Sequence, residues 1–456
     1  MVPATRRQRY HGGRPQPGMR ADNERNNNRE ANESHIERSP GPAGAPRPSR
    51  RSLRGLDWFV FFLADAQMGF GPLVAVHLTA HKWTQSDIGL VLTVGGLVAL
   101  VGQVPGGALV DAARSERVLA AVAVVGIAAS AFMIGAWPIV AVVLAARVLH
   151  AVASCILGPA IAAISLGLVG HAAIAERLGR NARFASIGAA LAAAGMGAIG
   201  YFVSNQAIFF ITAALCVPML AALWFIGGGQ VDPVRAHGGK PAPHPGDPIA
   251  TARMLVRNRP LMVFAGCVAL FHLANAAMLP LAASVITMRT SDGAAALVGA
   301  CILVPQIVVA ASAPWVGRKA MIVGRRPLLL LGFAALPLRG FLFSFITDPT
   351  VLVTVQLLDG ISAAVLAVMV PLVIADVTRG TGHFNLAQGV TGTAVGIGAS
   401  LSTTLAGYAS DYFGIGWAFL MLAALAAIGL IAVLAFMPET GNVPGGGNET
   451  RPQALF

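Results

Sequence analysis

Long apolar runs separated by short polar turns dominate the chain from Leu56 to Met437. Many of these runs are long enough to cross a bilayer, for which a helix needs about 20 mostly apolar residues. With a short connection for each span, twelve spans fit between these two residues. The pattern therefore predicts an all-α, polytopic membrane protein with twelve transmembrane helices.

The polar turns give the expected ends of the spans. Spans one to three are predicted at Leu56–Thr79, Ile88–Val110 and Val118–Ala136. Span four follows Trp137-Pro138 and is predicted to break after Ser165, so that the charged residues of 176–183 fall in a loop. Spans seven to twelve are predicted to start near Pro260, Ala294, Pro327, Pro349, Phe384 and Gly416.

Composition divides the chain into five segments. Residues 1–54 hold twelve Arg and five acids among Gly, Pro and Asn, which predicts a disordered, basic cytoplasmic tail. Residues 228–259 are rich in Gly, Pro, His and Arg and predict a cytoplasmic linker. This linker separates two predicted six-helix bundles at 55–227 and 260–437, and a cytoplasmic tail at 438–456 follows the second.

Lys and Arg are distributed unevenly between the two sides of the predicted bundles. The loops on the side of the amino terminus hold fifteen of them, whereas the other side holds only Lys82 and Arg289. Because cytoplasmic loops have the excess of Lys and Arg, both termini are predicted to be cytoplasmic. In a bacterium the protein would then lie in the cytoplasmic (inner) membrane. The formal charge of +12 is accounted for in this way, and no nucleic acid partner is predicted.

One stretch of eight residues occurs twice, 210 positions apart. Phe61–Met68 and Phe271–Met278 are identical at five of eight positions, and Asp65 in the first copy is replaced by Asn275 in the second. An acid within an apolar run should face protein or a wet cavity rather than lipid. The repeat therefore predicts two pseudo-symmetric, parallel bundles around a central site.

Related loop motifs follow spans two and eight. The first copy contains Gly107, Leu109 and Asp111, whereas the second has Met321 at the position that corresponds to Asp111. Over residues 56–437 the sequence resembles the major facilitator superfamily (MFS) of transporters, whose signature after span two is Gly-x-Leu-Ala-Asp-Arg-x-Gly-Arg-Arg. The resemblance implies the two-bundle fold, alternating access and a cytoplasmic gate formed by these loops. The gate residues are Gly107, Asp111, Arg114, Arg117, Gly317, Arg318, Gly324, Arg325 and Arg326.

Charged and titratable residues within the spans are the predicted proton-coupling site. They are Asp65, Arg147, His150, Arg339 and Asp359. A low-dielectric cavity disfavours the ionised form of a carboxyl, which suits Asp65 and Asp359 to binding and releasing protons. Arg147 resembles the span-four Arg linked to proton coupling in drug:proton antiporters. Arg339 and Asp359 resemble the cation and acid of lactose-permease-like symporters, and a static ion pair between helices is the alternative role.

Uncharged polar residues within the spans are the predicted substrate contacts. They are Gln67, His272, Asn275, Gln306 and Gln356. The alternative for each is packing with one satisfied hydrogen bond. The four cysteines show no metal-ligand spacing, and there is no phosphate-binding P-loop, so neither a metal, a cofactor nor an enzymatic activity is predicted.

These observations predict a secondary transporter that moves a small organic solute by alternating access and is coupled to protons. Arg147 favours export by antiport, whereas the Arg339 and Asp359 pair favours a proton symporter for a sugar-, nucleoside- or organic-acid-like solute; export is given the preference. A non-transporting membrane sensor or assembly factor is the third possibility, because fold alone does not fix function. Two bundles already enclose a site, so a monomer is predicted, with the solute, protons and the lipid bilayer as its partners.

Overall fold

The computed structural model describes residues 48–68, 70, 72–239, 254–289 and 294–441. Most of the predicted amino-terminal tail, the centre of the predicted linker and most of the carboxy-terminal tail lie outside the described residues. The described ranges are helical and contain no β-strand. The predicted all-α class is therefore confirmed.

The first half of the chain, residues 48–239, contains eight α-helices. They are α1 Arg50–Met68, α2 Pro72–Ala80, α3 Gln85–Ala112, α4 Glu116–Ala136, α5 Val140–Phe202, α6 Asn205–Ala214, α7 Cys216–Phe225 and α8 Pro233–Ala236. Hydroxyl side chains accept hydrogen bonds from the first turns of three of them: Thr84 before α3, Ser115 before α4 and Ser204 before α6. Such caps satisfy backbone N–H groups that have no partner within the helix.

The second half, residues 254–441, contains in its described part a helical turn at 254–257 and seven helices that follow it. They are α9 Arg259–Asn275, α10 Met278–Arg289, α11 Ala294–Val323, α12 Arg325–Phe345, α13 Pro349–Val377, α14 Phe384–Phe413 and α15 Ile415–Phe436. Asp348 accepts hydrogen bonds from Thr350 N and Val351 N, and Pro349 occupies the first helical position of α13. Proline suits this position because its fixed φ is helical and no N–H is needed there.

Helix α5 corrects the predicted boundary between spans four and five. It has 63 residues and would be about 95 Å long if straight, roughly three times the apolar thickness of a bilayer. Its backbone breaks at Gly170, with φ 68° and ψ 176°, rather than after Ser165. Residues 176–183, predicted to be a loop, lie in the helical arm that follows this break.

Nine helical segments in the described part of the chain are long and apolar enough to cross a membrane. One of them is the whole of α5, whose two arms are each long enough to span. Another joins α9 and α10. The number and the composition of these segments are those of a multi-pass membrane protein.

The repeated stretch of the sequence lies at a helix break in both halves. The first copy ends α1 at Met68, and α2 starts at Pro72. The second copy includes Asn275, the last residue of α9, and Met278, the first residue of α10. Interrupted helices in transporters commonly contribute to the central binding site. The repeat thus marks the two interruptions rather than a regular helical segment.

Close glycine contacts join the halves at the end of the bundle that holds Asp111, here called the Asp111 end. In each contact, a Cβ on the glycine would collide with a backbone carbonyl of the other half. The pairs are Gly107 with Asn385, Gly317 with Ala175, Gly389 with Gln103, and Gly179 with Ala313. Adding 210 to Gly107 gives Gly317, and subtracting 210 from Asn385 gives Ala175, so the second pair repeats the first with the halves exchanged. The fourth pair repeats the third in the same way. The sequence repeat is therefore matched by a two-fold relation between contacts.

Each half also has a hydrophobic core of its own. One cluster of buried apolar side chains comes from positions between Leu56 and Ala236. The other comes from positions between Leu255 and Met437, together with residues of α5 that pack against the second half. Since burial of apolar side chains is the main stabilising term, each half can hold its shape while contacts between the halves change.

Candidate functional site

A polar network lies where α5 faces the break between α1 and α2. Gln67 Nε2 donates to Ser154 Oγ at 3.1 Å, and Gln67 Oε1 lies 3.1 Å from His150 Nε2. The Phe70 ring stacks on the His150 ring with centroids 3.7 Å apart. The structure thus brings the predicted substrate residue Gln67 to the predicted coupling residue His150.

Arg147 and Asp65 are the charged members of the candidate site in the first half. Arg147 Nη1 donates to the carbonyl oxygen of Phe70 at 3.1 Å, and the side chain is half-buried. Among the described residues, no carboxylate lies within ion-pair distance of this guanidinium. The half-buried Asp65 likewise has no ion pair and no hydrogen bond to the described part of the chain. In the first half, the candidate site therefore contains a cation, Arg147, and an acid, Asp65, that are not paired with each other.

The charged residues of the candidate site in the second half, Arg339 and Asp359, form an ion pair. Arg339 Nη1 donates to Asp359 Oδ1 at 2.5 Å and to Asn275 Oδ1 at 2.7 Å. Arg339 is only 1% exposed, whereas the Asp359 side chain is 23% exposed. These residues come from α12, α13 and α9. Asn275, which corresponds to Asp65, thus accepts a hydrogen bond from the buried guanidinium in this half.

A cavity of about 370 Å³ lies between the halves. Its lining is mainly apolar, with polar side chains from α3, α5 and α14: Gln103, Asn181, Gln388 and Thr391. The five predicted substrate residues are not among its lining residues. Gln103 and Gln388 show the same sequence signal as Gln67, an amide within an apolar run, and could have been found by it.

The other predicted substrate residues lie elsewhere. Gln306 lines a separate groove of about 370 Å³ between α11 and α5, beside Arg183 and Ser186. His272 is half-buried, and its ring packs edge-on against Phe271 with centroids 5.5 Å apart. Gln356 is fully buried within α13, which removes it from contact with a solute in this conformation.

Asp111 links the end of α3 to the start of α14. Its carboxylate accepts hydrogen bonds from Asn385 N at 3.2 Å, Asn385 Nδ2 at 2.8 Å and Leu386 N at 2.8 Å. The first N–H groups of a helix lack partners within it and have a positive dipole, so a carboxylate is well placed there. Met321, at the corresponding position of the second half, is exposed and has no oxygen to accept such bonds. Of the two corresponding positions, only Asp111 therefore forms a carboxylate latch between the halves.

The two arginines that follow Asp111 do not reach the second half through the described contacts. Arg117 Nη2 donates to the carbonyl of Leu223 at 3.2 Å, near the carboxy-terminal end of α7. A cation is favoured there by the helix dipole. Arg114 is exposed. Arg117 thus ties α4 to α7 within the first half, while Asp111 makes the contact across the gate.

The second loop motif also binds mainly within its own half. Arg325 Nε donates to Asp376 Oδ2 at 2.9 Å, and Arg326 Nη2 donates to the carbonyl of Leu434 at 2.5 Å. The Glu439 carboxylate accepts from the backbone N–H groups of both arginines, at 2.8 and 3.0 Å. Gly324 packs against Glu439, whereas Arg318 is exposed. Of this motif, Gly317 contacts the first half, at Ala175.

A short segment of the predicted linker, residues 231–239, packs across the Asp111 end and is here called the strap. Within it, Asp232 N donates to the carbonyl oxygen of Gly167 at 3.2 Å. The carbonyl oxygen of Ala236 accepts from Asn385 Nδ2 at 3.3 Å, and that of Gly238 accepts from Gly380 N at 2.6 Å. The buried His237 places Nε2 3.6 Å from Glu116 Oε1. Because the strap touches both halves and the side chain that binds Asp111, it is part of the gate.

We expect Gly167→Val to release the strap. A Cβ at Gly167 would lie 2.7 Å from a methyl of Val231 and 3.1 Å from the carbonyl of Asp232, so the strap must move. Overpacking of this kind costs about 1–3 kcal/mol, which predicts roughly 5- to 150-fold faster trypsin cleavage after Arg235, measured by mass spectrometry of the fragments. Gly229→Val is the matched control, because nothing lies within 4 Å of a Cβ there. Equal cleavage rates in the two variants would contradict the assignment.

A buried ion cluster in the first half was not evident from the sequence. Asp57 Oδ1 accepts from Arg177 Nη2 at 2.5 Å, and Asp57 Oδ2 accepts from Arg180 Nη2 at 2.6 Å. Arg177 Nε also donates to Asn181 Oδ1 at 2.7 Å. Asp57 is 1% exposed and Arg177 is 4% exposed. This cluster ties α1 to the second arm of α5 and explains how that charged arm stays within the bundle.

The family follows from a comparison of the whole chain. The family model of the Major Facilitator Superfamily matches residues 58–336 and 267–455. The chain belongs to the Major Facilitator Superfamily. The resemblance inferred from the loop motifs is thereby confirmed, and the protein is a multi-pass integral membrane protein of this transporter family.

Relatives within the superfamily match most of the chain. Two of them, uncharacterized MFS-type transporters from two strains of Mycobacterium tuberculosis, are 41% identical over 396 residues, covering 86% of this chain and 94% of the relative. The human organic anion transporter MFSD10 (TETRAN) has a TM-score of 0.64 at 16% identity, covering 85% of this chain and 100% of its own. The Escherichia coli fucose:proton symporter FucP has a TM-score of 0.65 at 15% identity, covering 84% and 97%. At these identities the two solved structures show the MFS fold alone.

Proposed function

We propose that this MFS protein is a proton-coupled transporter that exports a small organic solute by alternating access. It crosses the membrane twelve times in two six-helix bundles at 55–227 and 260–437, with α1 and α2 together forming span one, α5 forming spans four and five, and α14 forming span eleven. Both termini are cytoplasmic, so the Asp111 end faces the cytoplasm. The protein acts as a monomer. Its bacterial relatives favour the cytoplasmic membrane as its location.

The proposal of proton coupling rests on the contrast between the acids of the two halves. Asp359 is neutralised by Arg339, whereas Asp65 has no ion-pair partner among the described residues. An unpaired carboxylate within a membrane span is costly, and protonation removes this cost. Asp65 is therefore the residue that binds the transported proton. Movement of the unpaired Arg147 toward it would favour release, because a nearby cation stabilises the ionised acid.

In this conformation the proposed cytoplasmic end is closed. The latch at Asp111, the strap and the four glycine contacts all lie at the proposed cytoplasmic end. In the opposite state these contacts must part, together with the contacts of the α5 side chains that pack against the core of the second half. The proposed cycle alternates between this state and one that is open at the Asp111 end.

The test is untargeted metabolite profiling of cells and medium, comparing wild type with Asp65→Asn at equal membrane abundance. We expect one solute to be enriched in the medium with wild type only. A pH difference of one unit corresponds to about 1.36 kcal/mol, so one coupled proton sustains a roughly tenfold solute gradient, which Asp65→Asn should abolish. Asp87→Asn is the control, because Asp87 lies in the first turn of α3 and binds Thr84. Wild-type, proton-dependent transport by Asp65→Asn would refute the assignment of the proton site.

Uptake by proton symport is the second candidate function, and the Arg339–Asp359 ion pair favours it. In that case the same profiling would show the solute enriched inside the cell, and its enrichment would depend on Asp359. A sugar-, nucleoside- or organic-acid-like solute is then the expected class. No difference in either compartment, together with a stable protein partner in pull-down experiments, would favour a non-transporting sensor or assembly factor.

A further inference from the structure

A basic cavity lies at the Asp111 end, away from the central cavity and the latch. Its volume is about 560 Å³, and it is formed by the start of α1 and the second arm of α5. The charged lining residues are Arg50, Arg54, Arg177, Arg180 and Glu176. None of these is a lining residue of the central cavity. The mechanism proposed above gives this cavity no role.

Two of the arginines are fixed in place by a buried acid. Asp57 binds Arg177 and Arg180 from behind the cavity, and the Arg177 side chain is only 3% exposed. Arg177 Nη1 also donates to the carbonyl of Leu53, which itself lines the cavity, at 3.3 Å. Arg180, whose side chain is 52% exposed, is thus held in a defined geometry before any ligand arrives, whereas the nitrogens of Arg177 already bind Asp57, Leu53 and Asn181. Preorganisation of this kind lowers the entropic cost of binding.

The cavity retains positive charge after its internal pairs are counted. Asp57 is shared by Arg177 and Arg180, and Glu176 is the acid of the lining. The exposed Arg50 and Arg54 form no ion pair and no hydrogen bond with the described residues. Arg50 is also the first residue of α1, whose dipole adds positive potential at this point. Four arginines with two acids leave the site suited to an anion.

The chemistry of the lining selects the class of anion. Arginine binds phosphate through parallel N–H donors, and several arginines around one cavity suit a phosphate better than a single carboxylate. The volume is much larger than a phosphate needs, and Leu53, Val169 and Ala173 add apolar surface. A phosphate joined to an apolar or glycerol-like group therefore fits the lining best.

We propose that this cavity binds the phosphate group of an anionic phospholipid or of a soluble phosphate ester, with Arg50 and Arg54 as the residues that respond to the ligand. In the orientation proposed above, the cavity lies at the cytoplasmic surface, where anionic lipids are attracted to clustered Lys and Arg. Occupancy would join α1 to the second arm of α5 and so stabilise the first half. The proposal does not depend on the transported solute.

The experiment uses the purified full-length protein in a neutral detergent. Its melting temperature is followed while phosphatidylglycerol, or phosphatidylcholine as the zwitterionic control, is added. We expect phosphatidylglycerol to raise the melting temperature and phosphatidylcholine to leave it unchanged. The double variant Arg50→Gln with Arg54→Gln should need roughly thirtyfold more of it, because each Arg contributes about 1 kcal/mol near an anionic lipid. Glycerol 3-phosphate and inorganic phosphate, tested in the same way, separate a soluble phosphate from a lipid headgroup.

The matched control is Arg257→Gln with Arg259→Gln. Arg259 is the first residue of α9 and Arg257 lies two residues before it, both are exposed, and removing them changes the net charge equally. We expect this variant to respond to phosphatidylglycerol as wild type does. An equal loss in both double variants would mean general surface charge, and an unchanged response in Arg50→Gln with Arg54→Gln would exclude the site. Either result would overturn the proposal.

Discussion

Asp359→Leu is expected to lower the free energy of unfolding by about 3–5 kcal/mol, because it leaves a buried guanidinium without its carboxylate. Arg339 is 1% exposed, so water cannot replace the lost partner in this conformation. Asn275 Oδ1 would remain at 2.7 Å, but an amide oxygen does not neutralise the charge. The measurement is equilibrium unfolding of the purified protein in mixed micelles.

The double variant Arg339→Leu with Asp359→Leu separates the ion pair from the volume of its side chains. Removing both charges should recover most of the lost stability, since a buried pair replaced by apolar residues is often neutral or stabilising. Asp348→Ala is the control in the same helix; Asp348 caps α13, and its loss should cost only about 0.5–2 kcal/mol. If the double variant is as unstable as Asp359→Leu, the unpaired Arg339 is not the cause.

Features with a local cause were predictable from the sequence. Predicted span three starts within two residues of α4 and ends at the same residue, Ala136, because Ser115 caps its start and Pro138 follows its end. Apolar run length likewise predicted the all-α class. The repeat around Asp65 and Asn275 indicated two related halves, and the glycine contacts between the halves follow the same offset.

Features that depend on distant partners were not predictable. The charged residues of 176–183 resemble a loop in sequence, but Asp57 of α1 binds Arg177 and Arg180 and keeps this arm in the bundle. Arg147 and Arg339 show the same signal, a cation in an apolar run, yet among the described residues only Arg339 lies beside an acid. Packing decides such pairings, and one sequence does not encode them in a local pattern.

The strap shows a related limit of composition. Gly, Pro, His and Arg in the predicted linker are typical of a flexible connection. Nevertheless Asp232, Ala236 and Gly238 make specific backbone contacts to both halves. The small size of Gly167, in α5, lets the strap approach that helix closely. A residue outside the linker thus decides whether the linker docks.

Asp111→Ala is expected to open the Asp111 end. In the closed state the variant leaves three donors of Asn385 and Leu386 without their acceptor, whereas in the open state water can reach them. Unsatisfied buried donors cost about 1–3 kcal/mol each. A net shift of even about 2 kcal/mol changes the ratio of closed to open molecules roughly thirtyfold. Transport should fail as well, because one of the two alternating states is depleted.

The opening can be measured with a thiol introduced by Gln388→Cys in a background without the four native cysteines. Gln388 lines the central cavity one turn from Asn385, so a reagent can reach it from this side only when the latch has parted. In sealed inside-out vesicles, a membrane-impermeant maleimide should react faster with this thiol when Asp111→Ala is also present. Asp411→Ala, an exposed acid at the far end of α14, is the control and should leave the rate unchanged. Equal rates with Asp111→Ala and with Asp411→Ala would mean that the glycine contacts and the strap hold the gate without the carboxylate.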